Sequence, residues 1–328
     1  MARPRRGLAL TFLSVLMLAP APAWAQDEAA SFPNHAIRIV VPFPAGGPAD
    51  IMARIISQRM SEDFSQPVVV ENRPGANTVI GAQVVAKAAP DGYTLLMAID
   101  STLTMNQYLY RVPPYDPLAD FAPITLTAKS MSLLAVAASG PHSVKELIAK
   151  AKAAPGKLNY GGGTITTQLM GVMFNKAAGL DIVYVPFKGT PETVQGLLTG
   201  SVDLVYAASA IVMPLAQNGQ VRLLARMDSR QHPSLPGLPT LADAAELPGF
   251  DDISVWLGLV APRGTPPAIV DKLQQKVAQI LADPRVKVTS ERTGNYAVTS
   301  TPAEFSAFIA REAERWGKVL KETNIRYD

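Results

Sequence analysis

An α/β fold in two lobes, each a mostly parallel sheet flanked by helices, is the architecture that this 328-residue sequence predicts. Three observations lead to it. Short apolar runs of strand length alternate with amphipathic segments of helix length, as in doubly wound parallel sheets. The alternation occurs in two sets, one on each side of about residue 133. A chain of roughly 300 residues is long for one hydrophobic core, so the two sets are read as two lobes.

Residues Met1 to Ala25 read as a cleavable secretory signal. Arg3, Arg5 and Arg6 form a positive start, and Leu8 to Leu18 is an apolar core too short to span a bilayer. Ala23-Trp24-Ala25 fits a small-x-small cleavage site before Gln26. Removing the signal takes away three arginines and no acid, so the chain's 30 Lys+Arg and 27 Asp+Glu become 27 against 27. The basic excess of the whole chain therefore says nothing about nucleic acid. The absence of cysteine excludes a lipoprotein anchor, disulfides and thiolate chemistry. We expect an exported, soluble, periplasmic protein.

The first unit sets the pattern. Ile37 to Val41 is a buried strand, and Pro42-Phe43-Pro44-Ala45-Gly46-Gly47 is a tight loop. Ala49 to Met60 follows with Ile51, Met52, Ile55, Ile56 and Met60 at helical spacing. The first N–H groups of a helix lack internal partners and carry partial positive charge, so such a corner suits an anion. The same corner also serves simply to turn the chain.

Gln66 to Asn72 is the next strand; Arg73-Pro74-Gly75-Ala76-Asn77-Thr78 turns into a helix over Ile80 to Ala88. Asn77 and Thr78 are helix-capping types as well as donors for a ligand. Tyr93 to Ala98 is a third strand, ended by Ile99-Asp100-Ser101-Thr102. In parallel sheets of this kind ligands bind beyond the carboxyl ends of the strands. Gly46, Asn77 and Ser101 all fall at those ends.

Ile124 to Leu126 and Leu133 to Ala137 read as strands. Ser143, with Glu146 three residues on, caps a helix that runs to Ala153. Gly161-Gly162-Gly163-Thr164 is a third glycine corner, opening a helix from about Gln168 to Ala178. It lacks the Gly-Lys-Ser/Thr of a P-loop and the dinucleotide Gly-x-Gly-x-x-Gly. The second set continues with strand Ile182 to Pro186, loop Phe187-Lys188-Gly189-Thr190-Pro191, helix Glu192 to Leu198 and strand Val202 to Ala207. A helix and the strand Val221 to Ala225 complete it. Asp203 reads as a turn or hinge residue. The strand Ser254 to Ala261 is expected to pair with Leu133 to Ala137 as a two-stranded connection between lobes. The lobes are then residues 26–132 with 258–328, and residues 133–257, with hinge strands near 133–137 and 254–261. Helices Ala268 to Leu281 and Pro302 to Thr323 follow, the last with Trp316 on an apolar face beside Phe305, Phe308 and Ile309.

Catalytic and metal signatures are missing from the sequence. His35, His142 and His232 are far apart, and no His/Asp/Glu cluster has ligand spacing. There is no Gly-x-Ser-x-Gly and no Ser-x-x-Lys. Aromatic residues are not interleaved with basic patches, as single-stranded nucleic acid would require.

Taken in order, the segments Pro42-Phe43-Pro44-Ala45-Gly46-Gly47-Pro48-Ala49-Asp50, Glu71-Asn72-Arg73-Pro74-Gly75-Ala76 and Pro90-Asp91-Gly92-Tyr93-Thr94-Leu95-Leu96 resemble the substrate-binding proteins of tripartite tricarboxylate transporters, the Bug-type receptors. Tyr115-Asp116-Pro117, Pro155-Gly156-Lys157-Leu158-Asn159-Tyr160 and Val185-Pro186-Phe187-Lys188-Gly189 continue the likeness. So do Gly200-Ser201-Val202-Asp203 and Trp256-Leu257-Gly258 with Ala261-Pro262-Arg263-Gly264-Thr265-Pro266, so that the ordered set covers nearly the whole mature chain.

The resemblance implies a type II periplasmic-binding-protein (Venus-flytrap) fold that closes on a small organic carboxylate, held largely by main-chain groups and water. It implies that Phe43, Ala45, Gly46 and Gly47 line the first-lobe side, beside Asn77, Thr78 and Ser101, with Asp50 orienting the loop. Gly162, Gly163, Thr164, Lys188 and Ala207 are the candidates from the second lobe. Two departures bear on the ligand: Gln168 stands near where the family carries a histidine, and Asn77-Thr78 stands where a second glycine is common. The expected partners are an organic acid and the membrane subunits of a transporter, with no cofactor, no metal, no nucleic acid and a monomeric state. A ligand-sensing partner of a membrane kinase, or a secreted hydrolase or lyase on the same scaffold, are the competing readings.

Overall fold

The computed structural model describes residues 31–231, 235–247, 250, 253–292 and 294–327. The secretory signal read at Met1 to Ala25 lies outside the described residues. Two sheets organise the chain. The first contains β1 (Ile37–Val41), β2 (Val68–Asn72), β3 (Thr94–Ile99), β4 (Phe121–Ser130), β10 (Val255–Pro262) and β11 (Asn295–Ala297), in the order β11-β4-β10-β3-β1-β2. The second contains β5 (Ser132–Ala137), β6 (Asn159–Gly162), β7 (Val183–Pro186), β8 (Leu204–Ala208) and β9 (Val221–Arg226), in the order β7-β6-β8-β5-β9.

The expected strand–helix units are present. β1 pairs in parallel with β2 and with β3. The connecting helices are α1 (Pro48–Phe64) and α2 (Val79–Ala86). β6 pairs in parallel with β7 and β8, connected through α6 (Ile165–Ala178) and α7 (Thr190–Leu198). Between β3 and β6 lie α3 (Asp100–Thr104), α4 (Asn106–Leu109) and α5 (Val144–Ala153). The rest are α8 (Ser209–Gln217), α9 (Leu241–Ala245), α10 (Pro267–Ala282), α11 (Pro284–Arg292) and α12 (Pro302–Thr323).

Two expectations are corrected. Both sheets are mixed rather than mostly parallel, because the strands that pass between lobes do so without a crossover helix and therefore run antiparallel to their neighbours. β10 is antiparallel to β3 and β4, and β5 to β8 and β9. The strand at Val255–Pro262 also does not pair with Ser132–Ala137. Its partners are β3 and the ten-residue β4, and the chain leaves the first sheet at Ser130 and opens the second at Ser132.

The continuous apolar runs are explained by burial on both faces of each sheet. Ile37, Ile39 and Val41 face Met52, Ile56 and Met60 of α1 and Leu273 and Val277 of α10. Val40, Leu96 and Ala98 face Val79 and Val85 of α2 and Phe305 and Ile309 of α12. In the second sheet Leu134 and Val136 point to one core and Leu133 and Ala135 to the other. α12 begins with a Thr301–Glu304 capping box. Its first half packs on the first sheet, whereas Trp316 and Leu320 join the second-lobe core with Phe174 and Tyr160. Trp316 is thus core as expected, in a different cluster from Phe305 and Ile309.

Candidate ligand-binding site

Asp50, in the first turn of α1, shapes the loop that follows β1. Its Oδ2 accepts from the Gly46 N–H and from Arg54 Nε, each at 2.9 Å. Its Oδ1 accepts from Asn72 Nδ2 at 2.9 Å and Arg54 Nη2 at 3.0 Å. Asn72 Nδ2 also donates to the Phe43 carbonyl at 3.0 Å, so one carboxylate holds both ends of the loop. Burial acts to raise the Asp50 pKa, but the hydrogen bonds from Arg54, Gly46 and Asn72 outweigh it and hold the group below its ordinary value. Gly46 has φ +85°, a left-handed conformation natural to glycine.

A small cavity of about 40 Å³ lies between the lobes. Four helix N-termini converge on it. α1 contributes Gly47, Pro48 and Ala49; α6 its cap Thr164 together with Thr167; α7 its cap Gly189 with Thr190; α8 its cap Ala208. The remaining wall comes from Phe43 and Pro44 and from the strand ends at Ile99, Ser130, Ser132, Val255 and Leu257. Its polar side chains are hydroxyls, and no Asp, Glu, Lys, Arg or His is among the lining residues. The summed N-terminal dipoles therefore supply positive potential without a formal charge.

A second, more open recess adjoins it through the shared residues Phe43, Pro44 and Thr164. Its wall includes Asn77, Thr78, Gly163 and Lys188, with Tyr110, Tyr184 and Tyr327. The fourteen-residue helix α6 is fixed here by a reciprocal cap: the Thr167 N–H donates to Thr164 Oγ1 at 3.2 Å and the Thr164 N–H to Thr167 Oγ1 at 3.1 Å. The two glycine loops of the second lobe touch. A Cβ on Gly163 would fall 2.4 Å from the Gly189 carbonyl carbon. Gly189 in turn faces Pro44 of the first lobe, 3.5 Å from where its own Cβ would stand.

The sequence-predicted residues divide into groups. Phe43 and Thr164 line both spaces, Gly47 the cavity, and Asn77, Thr78, Gly163 and Lys188 the recess. Lys188 is exposed, and its backbone N–H donates to Glu192 Oε2 at 2.8 Å. Ala45, Gly46, Asp50, Ser101, Gly162 and Ala207 are on neither wall. Gly46 and Asp50 build the loop. Gly162 belongs to β6 rather than to a loop, and Ala207 packs into the core on the far side of β8, leaving Ala208 at the cavity. Thr78 stands at the N-cap of α2, but its side chain makes no cap hydrogen bond. It accepts from Thr102 Oγ1 at 2.9 Å and from Asn106 Nδ2 at 3.1 Å, while Asn77 Nδ2 donates to Asn106 Oδ1 at 2.6 Å. Gln168 Oε1 accepts from the Tyr327 hydroxyl at 3.0 Å.

Ser130, Ser132, Thr167, Thr190 and Ala208 line the cavity without having been singled out in the sequence. Isolated small hydroxyl residues carry no periodic signal. The available clue was position: each stands at a strand end or a helix start.

Ser101 is buried behind the wall, next to Asp100. Asp100 Oδ1 accepts from the Ser101 N–H at 2.8 Å, and its Oδ2 accepts from Thr166 Oγ1 of the second lobe at 2.8 Å. Burial pushes the Asp100 pKa up to about 7, against the opposing effect of those two hydrogen bonds. Among the described residues no group of His, Asp and Glu could hold a metal ion, and no helix is long and apolar enough to cross a membrane.

Comparison with known proteins identifies the family and the fold. Residues 52–325 match the family profile described as "Tripartite tricarboxylate transporter family receptor". The chain is 32% identical over 320 residues to Protein BugT of Bordetella pertussis, covering 95% of this chain and 96% of that one. Its fold is similar to that of R. palustris Rpa4515 with adipate, at TM-score 0.86 and 34% identity, covering 90% of this chain and 99% of the other. It is also similar to MatC from Rhodopseudomonas palustris with bound malate, at TM-score 0.81 and 31% identity, covering 88% and 100% of the two chains. The two mixed sheets flanked by helices are the two-lobed type II binding-protein fold. The chain belongs to the tripartite tricarboxylate transporter receptor family, among its Bug-type solute-binding proteins.

Proposed function

We propose that the protein is a periplasmic receptor that captures a small organic carboxylate in the cavity between the lobes and presents it to the membrane subunits of a tripartite tricarboxylate-type transporter. The observation that carries this reading is the convergence of four helix N-termini on one uncharged cavity between the lobes. The first turn of a helix carries partial positive charge, and four such ends together suit a carboxylate in a site without a basic side chain. The likeness to proteins solved with adipate and with malate supports the same ligand class.

The cavity would bind rather than convert its ligand. Its lining residues include no acid, base or His-paired nucleophile that could move a proton. The crossings at Met131 and at Val255 would act as the hinge, a few residues absorbing the rotation of one lobe against the other.

Thermal unfolding of the mature protein against mono-, di- and tricarboxylates, aromatic acids and amides tests the proposal. A ligand at a hundred times its Kd stabilises by about 2.7 kcal/mol, a clear rise in midpoint. A rise confined to carboxylates supports the receptor reading. A flat response from protein confirmed empty by native mass spectrometry overturns it, and product formation from a tight-binding acid would replace it with an enzyme.

A further inference from the structure

Two buried polar side chains beside the cavity meet no partner among the described residues. Ser130 ends β4 and is 1% exposed; Asn295 begins β11 and is 0% exposed. Among the described residues, the Ser130 hydroxyl and both the Nδ2 and Oδ1 atoms of Asn295 meet no hydrogen-bond partner. Buried polar atoms are nearly always paired, because an unpaired one loses its hydration without compensation.

The strand register places Ser130 on the cavity's wall and Asn295 one strand beyond it on the same face of the sheet, next to the lining residues rather than among them. Ser130 lies directly opposite Val255 on one side and Asn295 on the other. Residues opposite one another in an antiparallel pair project to the same face. Two residues along, Leu257 stands opposite Ile99 on the same face as Val255. Val255, Leu257, Ile99 and Ser130 all line the cavity, so the face that carries Asn295 is the face that forms the wall. Neighbouring strands are about 4.8 Å apart, which sets Asn295 one strand beyond Ser130 along it. The start of β11 is fixed in that place. The Gly294 carbonyl accepts from the Met131 N–H at 3.1 Å and from Ser209 Oγ at 3.4 Å, next to the cavity residue Ala208.

We propose that Ser130 and Asn295 form a polar subsite for the end of the ligand remote from its carboxylate, and that the group recognised there is neutral and both donates and accepts, a carboxamide or a hydroxyl. The proposal rests on the receptor reading above. The Asn295 amide presents a donor and an acceptor together, and the Ser130 hydroxyl does either. A carboxamide or hydroxyl satisfies all three atoms. A carboxylate only accepts, so it would leave Asn295 Oδ1 unpaired against another negative oxygen. No basic side chain lines the cavity to neutralise a second charge.

The test is calorimetric titration of the mature protein with straight-chain acids of matched length ending in methyl, hydroxyl, carboxamide or carboxylate. The hydroxy or amide acid should bind roughly tenfold or more tighter than the methyl-ended acid, because a built hydrogen-bonding site rejects an analogue that leaves it unpaired. Asn295→Leu should remove that preference while leaving the affinity for the methyl-ended acid within about threefold, and Ser130→Ala should weaken it in part. A preference unchanged in Asn295→Leu, or a wild-type protein that favours the methyl- or carboxylate-ended acid, overturns the subsite while the receptor reading stands. Binding of none of the acids overturns both. Should Asn295→Leu fail to fold, the rank order of the wild type and of Ser130→Ala decides.

Discussion

Thr166 of the second lobe donates its hydroxyl to Asp100 of the first at 2.8 Å, and both side chains are fully buried. The contact joins α3 to the first turn of α6, directly behind the cavity wall.

Asp100 makes stability depend on pH. Its pKa rises from 3.8 to about 7 on folding, chiefly through burial, with Glu312 adding slightly. Between those values the folded protein keeps a proton that the unfolded chain releases, so stability falls as pH rises from about 4 to about 7 and is level above. Asp100→Asn should remove that slope and melt higher than wild type at pH 8, with the difference vanishing near pH 4. Melting curves across this range check it; parallel slopes in both proteins would count against the assignment.

Asp50 behaves oppositely. Its lowered pKa contributes stability that is present above the ordinary value of 3.8 and is lost as pH falls through the folded-state value. Asp50→Ala leaves the Gly46 N–H, Asn72 and Arg54 without their acceptor and should cost about 1–3 kcal/mol in denaturant unfolding. Because the loop it holds also opens α1 at the cavity, carboxylate affinity should fall along with stability.

Gly163→Ala tests the contact between the second-lobe loops. The new methyl would collide with backbone, at 2.4 Å from the Gly189 carbonyl carbon and 2.8 Å from the Thr190 nitrogen, and cannot be relieved by a rotamer change. The N-termini of α6 and α7 must move apart, so affinity should drop about tenfold or more with a modest fall in melting temperature. Unaltered affinity would show that this pair of N-termini does not hold the ligand.

Solution scattering tests the hinge. Pro44 and Gly189 approach each other across the lobes at the cavity's edge, so separating them would widen a ligand's way in. The ligand-free protein should show a larger radius of gyration than the saturated one, and identical values would reject lobe closure.

The parallel units were legible because their central strands β1, β3 and β8 are buried and their loops are marked by Pro and Gly. β4 was not. Only Ile124 to Leu126 read as a strand, because Thr125, Thr127 and Lys129 interrupt the apolar run. Those threonines are buried on hydrogen bonds: Thr125 Oγ1 donates to the Ser300 carbonyl at 2.8 Å and Thr127 Oγ1 to Met97 Sδ at 3.6 Å. With the reach of β4 hidden, β10 was assigned the wrong partner. Gly161 and Gly162 misled in the other direction, reading as loop where the chain is still strand. At the candidate site the glycine corners were visible from composition. The hydroxyls on the cavity wall acquire meaning only from which strand ends and helix starts meet there.

β10 runs through the middle of the first sheet, between β3 and β4. More than a hundred residues, including the whole second sheet, separate β4 from it in the chain. The first lobe therefore cannot close its sheet while the polypeptide is still emerging. Its amino-terminal part waits, with an open sheet centre, until the second lobe has been made and the chain has come back. Folding of this protein is in that sense a late event, completed from the carboxyl end.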